Sequence, residues 1–405
     1  MSELDESGNT AQTEGVSLAA GIARWLVRCC RGSGRWLALC RQLAFPASFP
    51  GWKVYLYRWA LAVAGLPLLL IVQCLNAAGL LLDECLFRAY RQVRLHRPVF
   101  ILGVPRSGTT HTHHLLSADQ RFTTVTLWES VFAPSITQRH LLSGLARLDN
   151  YLGGLLARLV ALLERQLQQS LSSVHPTGLQ SPEEDFLLLM SSLDCFLLVL
   201  FFPECDWLWR LAAGDEESHR QESARVVRRY RRLLQRHVFF HGRHLQMLSK
   251  NASFAGLAQT LADEFPDSVL IICERDADIA VRSQLRSLAQ VRRWFCTDGV
   301  CPDFESMLLD TLVHYYRNLD KVKQGMPVCR RVSVPLCDLS RRPRWVVQSI
   351  YLQLGLGTSE PLHAALRNLE MRDPLRPETC VSDNQTVDAR FERFLPWRHV
   401  PENRL

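Results

Sequence analysis

Residues 97–110 read Arg-Pro-Val-Phe-Ile-Leu-Gly-Val-Pro-Arg-Ser-Gly-Thr-Thr, an apolar run entering a hydroxyl-rich loop between Gly103 and Gly108. Val99 to Leu102 are uninterrupted apolar residues, the pattern of a parallel strand buried on both faces. Thr109 to Leu116 reads as the start of a helix. A loop joining such a strand to a helix aims consecutive backbone N–H groups and the positive helix end at one point. Ser107, Gly108, Thr109 and Thr110 therefore form a cradle for an oxyanion. The Gly103-x-x-x-x-Gly108 spacing is that of a nucleotide P-loop, but Thr109 stands where an NTPase carries its lysine. The cation within this loop is Arg106, whose planar guanidinium suits phosphate or sulfate oxygens. The alternative is an ordinary turn before a helix.

A second block, Asp267-Ser-Val-Leu-Ile-Ile-Cys-Glu-Arg-Asp276, has the same buried-strand pattern and ends on Arg275, with Ser283 eight residues on. An arginine at a strand's carboxyl end and a hydroxyl two helical turns later can converge on one dianion. Taken alone, Arg275 reads equally as an ion-paired surface residue.

Pro105-Arg-Ser-Gly-Thr-Thr110 resembles the 5′-phosphosulfate loop of sulfotransferases that use 3′-phosphoadenosine 5′-phosphosulfate (PAPS), especially the membrane-associated and tyrosylprotein sulfotransferase-like branch. The spacing of Arg275 and Ser283 is similar to that family's 3′-phosphate site. The resemblance implies PAPS as sulfonate donor, no metal, and in-line transfer to a hydroxyl acceptor. That chemistry needs cations and N–H groups around the departing oxygen and a base for the acceptor's proton. In Leu127-Trp-Glu-Ser130, Glu129 lies where tyrosylprotein sulfotransferase-like sequences place a catalytic glutamate; an exposed or salt-bridged glutamate is the alternative. His113, in the His111, His113, His114 cluster, matches a histidine of the membrane-associated branch and is also readable as a satisfied helix histidine. Lys250 resembles a family lysine beside the donor, although Asn251-Ala252 replaces the usual Ser/Asp-Pro. Pro182-Glu-Glu resembles an acceptor-side block. Arg331 to Leu339 resembles the family's terminal strand and turn, with Cys337 in place of its usual aromatic.

Positioning these residues takes an α/β fold: a P-loop-type three-layer sandwich with a central parallel sheet, helix-rich insertions and an N-terminal membrane helix. The catalytic domain is expected over 97–405, roughly 300 residues and enough for one large core. Residues 1–50 form a basic appendage, polar to residue 15, then amphipathic from Val16 to Phe45 and suited either to a membrane surface or to packing on the domain. Residues 59–82 carry no charge and are long enough to span a bilayer; a buried helix or a surface hairpin is the alternative. Arginines flank both sides, so orientation rests on the resemblance, which implies a cytosolic N-terminus and a lumenal Golgi domain.

Between the phosphate blocks the pattern is helical. Leu141 to Leu171 repeats leucine at three- and four-residue steps, read as a packing face, and Arg225 to His237 is a basic helix. The acids of Pro182-Glu-Glu-Asp185 suit the N-terminus of the apolar segment Phe186 to Phe202. A net charge of +7 over 405 residues, with bases dispersed among acids, requires no nucleic acid. Cys296 and Cys301, around a short turn, are the best disulfide pair among 13 cysteines. Asn251 and Asn384 match glycosylation sequons, and the resemblance places Asn251 at the donor site, where no glycan fits. The acceptor stays open between a lipid or steroid-like alcohol, a glycan hydroxyl and a tyrosine. A nucleotide kinase or NTPase and an inactive nucleotide-binding membrane scaffold are the competing readings.

Overall fold

The structure, a computed structural model, describes residues 32–46, 48–171, 178–295, 297, 299–372 and 391. Five strands, β1 (Val99–Gly103), β2 (Phe122–Thr123), β3 (Gln246–Lys250), β4 (Val269–Glu274) and β5 (Arg331–Pro335), form a parallel sheet in the order β2-β3-β1-β4-β5. Val99 sits opposite both Leu248 and Val269, so β1 is central and fully buried. Side-chain alternation along the strands divides the core in two. Phe100, Leu102, Leu270 and Ile272 face one hydrophobic cluster, while Val99, Ile101, Val269 and Ile271 face the other.

On the second face lie α3 (Thr109–Leu116), α12 (Leu336–Arg341), α13 (Pro343–Leu354) and α14 (Glu360–Arg372), contributing Leu115, Leu339, Ile350 and Leu362. On the first lie α8 (Arg220–His241), α9 (Ala258–Glu264), α10 (Ala277–Trp294) and α11 (Phe304–Gly325). Helices on both faces of a central parallel sheet make the expected three-layer sandwich. The chain runs from β1 outward through β3 to β2 on one side and through β4 to β5 on the other. The carboxyl ends of β1, β3 and β4 therefore meet at the point where strand order reverses, where α/β sheets bind ligands.

The remaining helices precede or interrupt this core: α1 (residues 32–44), α2 (Trp52–Leu86), α4 (Leu127–Phe132), α5 (Ile136–Tyr151), α6 (Leu155–Leu171) and α7 (Asp206–Ala212). The described part of the N-terminal appendage packs on the domain. Leu39 of α1 is buried, Arg35 pairs with Asp194, and Trp36 donates to Gln73 at 2.9 Å. Helix α2 outruns the expected 59–82 at both ends; its 35 residues extend roughly 52 Å. The extension exists because the flanking charges are neutralised against the domain. Arg58 donates to the Phe201 carbonyl, and the buried Asp83 and Glu84 each lie 2.9 Å from Arg236. Only 6 % of its most apolar window is buried.

Three other expectations change. Leu141 to Leu171 is helical but not a packing face: α5 and α6 turn at Gly153 and Gly154 (φ +99° and +72°) and leave most of their leucines in solvent. The segment after Pro182 forms two short 3-10 stretches, Asp185–Ser192 and Phe196–Leu200, separated by Leu193 in the left-handed region. Its acids turn to side-chain partners instead of a helix end. Arg225 to His237 falls inside α8, with Val226, Tyr230 and Leu233 buried beneath its arginines. Cys296 and Asn384, and with them that disulfide and that sequon, lie outside the described residues.

Candidate active site

The loop between β1 and α3 is held open by its glycines. Gly108 adopts φ +89°, and a Cβ there would meet Leu336 Cδ1 at 2.6 Å. A Cβ at Gly103 would strike the Ser107 hydroxyl and lie 2.8 Å from the Cys273 carbonyl. Arg106 itself sits at φ +73°, an unusual conformation for a residue with a side chain and one that concentrates at ligand sites. It is fixed from the neighbouring strand end: Arg275 Nη1 donates to the Arg106 carbonyl at 2.7 Å, and Arg106 Nε donates to Ser283 Oγ at 3.1 Å. The two blocks read from the sequence thus converge across 169 and 177 residues of chain.

The remaining loop groups suit an anion. Ser107 Oγ is buried with no hydrogen-bond partner among the described residues. Helix α3 has no side-chain cap, so its first N–H groups are free to face a ligand. A buried hydroxyl, an uncapped helix start and two guanidiniums form a donor set that fits a phosphosulfate.

Lys250 ends β3 almost fully buried, with Nζ 3.2 Å from Thr110 Oγ1, 3.3 Å from Glu184 and 3.8 Å from Glu183. These residues line a cavity of about 610 Å³ together with Arg106, Thr109 and Arg275. Much of the remaining lining is apolar, including Phe186, Phe196, Leu200, Phe304 and Leu308. Glu183 and Glu184 were only weakly legible as an acceptor-side block; two adjacent acids opening an apolar run were the available signal. Beneath them, Asp185 accepts from Tyr230 at 2.7 Å and Ser249 at 3.0 Å, and also from Asn251. Asn251 accepts in turn from Phe186 N at 2.8 Å. Burial pushes the Asp185 carboxyl up to about 7 against those hydrogen bonds. Asn251, fully buried in this clamp, has no room for a glycan, as expected.

Two expected catalytic residues stand apart from the cavity lining. Glu129 is the N3 residue of a capping box on α4, taking the N–H and hydroxyl of Thr126 at 3.0 and 2.9 Å. Its other oxygen lies 2.6 Å from His241 Nε2 and 3.6 Å from Arg139. Burial works to raise its pKa, but Arg139, His237 and His241 outweigh it and hold the carboxyl well below the usual range. Such a group is a poor base, and the salt-bridged alternative is the one observed. Glu129, His237 and His241 bring ligand atoms within 4.8 Å of one another, as around a metal ion. The cation already present is Arg139, which donates to His237 Nδ1 at 3.2 Å. His113 is completely buried and lies 2.6 Å from Thr124 Oγ1. Burial, then Lys250 and His114, lower its pKa far below that of a free imidazole. The histidine that reaches the cavity is His111, two residues earlier on α3.

Comparison with known proteins agrees with this geometry. Residues 98–360 match the model of the Sulfotransferase family. The chain is 26% identical over 391 residues to omega-hydroxy-beta-dihydromenaquinone-9 sulfotransferase Stf3 of Mycobacterium bovis and of Mycobacterium tuberculosis, covering 91% of this chain and 95% of the relative. In fold it is similar to sulfotransferase STF9 from Mycobacterium avium (TM-score 0.60, 18% identity, covering 76% of this chain and 79% of that one). It is likewise similar to STF1 from M. tuberculosis (TM-score 0.55, 19% identity, 73% and 78%). With the family's model spanning the whole sheet and the loop and helix starts after β1 and β4, the chain belongs to the sulfotransferase family and is a sulfonate-transferring enzyme.

Proposed function

We propose that this sulfotransferase moves the sulfonate of PAPS to the hydroxyl of a lipid alcohol in the cavity beside Lys250. The carrying observation is one cavity lined both by Arg106, Thr109, Thr110, Lys250 and Arg275 and by a set of apolar side chains. The donor supplies an activated sulfonate. Ser107, Gly108, Thr109 and Thr110 would hold its 5′-phosphosulfate, with Arg106 as the loop's cation, and Arg275 with Ser283 its 3′-phosphate. Lys250, already bonded to Thr110, is placed to neutralise the oxygen that departs from sulfur. The acceptor oxygen forms the new bond to sulfur as the bridge S–O bond breaks, and its proton passes to a carboxylate. Glu184, with Glu183 beside it, fills that role better than Glu129, because both line the cavity and the latter does not.

The lipid class is supported by the Phe186, Phe196 and Leu200 wall and by a relative named for an omega-hydroxylated menaquinone. Neither favours the glycan or tyrosine acceptors left open by the sequence. The 35-residue apolar helix α2 would anchor the enzyme in the membrane that holds such an acceptor. It packs on the Asp185–Ser192 stretch and on α4, which supply cavity wall residues Phe186 and Leu127. The relatives are mycobacterial, so they lend nothing to a Golgi lumen. Incubating the full chain with PAPS labelled in its sulfate, against pools of long-chain alcohols, tyrosine peptides and oligosaccharides, tests the reading. Label in the lipid pool is expected; label confined to the aqueous pools refutes it.

A further inference from the structure

We propose that the hairpin of α5 and α6 is a second lipid-contacting element, seated on an anionic bilayer surface. It presents a leucine face that no described residue covers. Leu141, Leu145, Leu148 and Leu152 follow one another at four-, three- and four-residue steps on α5, and all are exposed. Leu155, Leu156, Leu159, Val160 and Leu162 continue the apolar surface along α6, which has no buried residue among those described. At the turn, Tyr151, Leu152 and Leu155 are 88, 71 and 65 % exposed. Water-soluble proteins rarely leave an apolar face of this extent uncovered.

The charges on the hairpin identify what covers it. Both of its acids are turned to backbone donors: Asp149 accepts from Leu156 N and Ala157 N at 2.9 Å each, and Glu164 accepts from Leu179 N at 2.6 Å. Arg147, Arg158 and Arg165 are exposed beside the leucines. A leucine surface whose outward charges are arginines matches the acyl boundary and phosphate layer of anionic lipid, the pattern of helices that lie in an interface. An interface between two copies would set these arginines against one another with no acid to answer them. The proposal depends on neither the donor nor the acceptor assigned above.

The test is photolabelling of the full chain reconstituted in vesicles that carry a diazirine on the acyl chain. Tryptic peptides Leu148–Arg158 and Leu159–Arg165 report on the hairpin. The peptide containing Leu352, a solitary leucine 83 % exposed, is the control for simple exposure. Hairpin labelling above that control is expected in phosphatidylglycerol-containing vesicles and less in pure phosphatidylcholine. Arg147→Glu with Arg158→Glu, read on the single longer peptide His140–Arg165 that trypsin then releases and compared with the summed wild-type peptides over the same residues, should lower it by roughly five-fold or more per arginine removed, and Leu152→Gln with Leu155→Gln should also lower it. Labelling no higher than the Leu352 peptide, or hairpin peptides protected from lipid but cross-linked to a second copy, would overturn the proposal.

Discussion

Replacing Arg275 separates the loop contact it makes from the 3′-phosphate role proposed for it. Its Nη1 bonds the carbonyl of Arg106, a residue held at φ +73°, so Arg275→Ala removes a restraint on the whole loop. That contact is worth about 1 kcal/mol net, and its loss should weaken every ligand of the loop roughly five-fold. On the proposed reading the guanidinium also holds the donor's 3′-phosphate, a charged contact worth about 1.5–3 kcal/mol. Adenosine 3′,5′-bisphosphate should therefore lose a further factor of about 10 to 150, whereas adenosine 5′-phosphosulfate, lacking the 3′ group, should lose only the first factor. Titration calorimetry with both ligands on the folded variant measures the difference directly. Arg275→Lys keeps charge but not the planar fork, and should fall between wild type and alanine for the bisphosphate. Equal losses for the two ligands would show that Arg275 acts on the loop alone and that the 3′-phosphate binds elsewhere.

Lys250→Met should keep bisphosphate affinity near normal and reduce kcat by about two to three orders of magnitude, the usual cost of losing a group that stabilises departing charge; unchanged turnover would remove Lys250 from the chemistry. Glu184→Gln should lower kcat by roughly two to four orders with donor binding retained, measured by transfer of labelled sulfate, and Glu183→Gln should be the milder lesion. Glu129→Gln should instead leave buried Arg139 short of a partner and lower stability by about 3–5 kcal/mol; chemical denaturation reads this, and a folded variant that has lost only turnover would restore Glu129 as the base. Asp185, whose folded pKa of about 7 exceeds its ordinary 3.8, stabilises the fold as the neutral acid. That contribution is complete below about pH 4 and is lost as pH rises through about 7, a span of roughly 4 kcal/mol. Asp185→Asn should flatten this part of the stability profile, and an unchanged slope would place the titration elsewhere.

The parts of this enzyme legible in its sequence are those where local pattern and tertiary role coincide. Val99 to Leu102 and Val269 to Cys273 read as buried strands because a parallel strand covered on both faces must be apolar throughout. The strand–loop–helix turn was legible because its glycines answer to nearby sterics, Gly103 against Ser107 and Gly108 against Leu336. Arg106, Arg275 and Ser283 came together because strand ends in this fold gather at one edge.

Where sequence and structure part, a local pattern had more than one tertiary use. Leucine periodicity specifies a helix with an apolar side, and it is the same for a side facing a core or a side facing outward; α5 and α6 take the second course. Glu129 has a structural use that was legible locally, since Thr126-Leu-Trp-Glu129 is a capping-box sequence and its carboxylate caps its own helix start. Glu183 and Glu184 suggested a helix start and instead face Lys250, a lysine 66 residues further along. What turns them is the clamp below: Asp185, held by Tyr230, Ser249 and Asn251, fixes the backbone of the acidic block against the end of β3. Asn251, which departs from the family's usual Ser/Asp-Pro, is one half of that clamp. The same substitution that made the Lys250 alignment insecure is therefore part of what sets the lysine and its carboxylates at 3.3 and 3.8 Å.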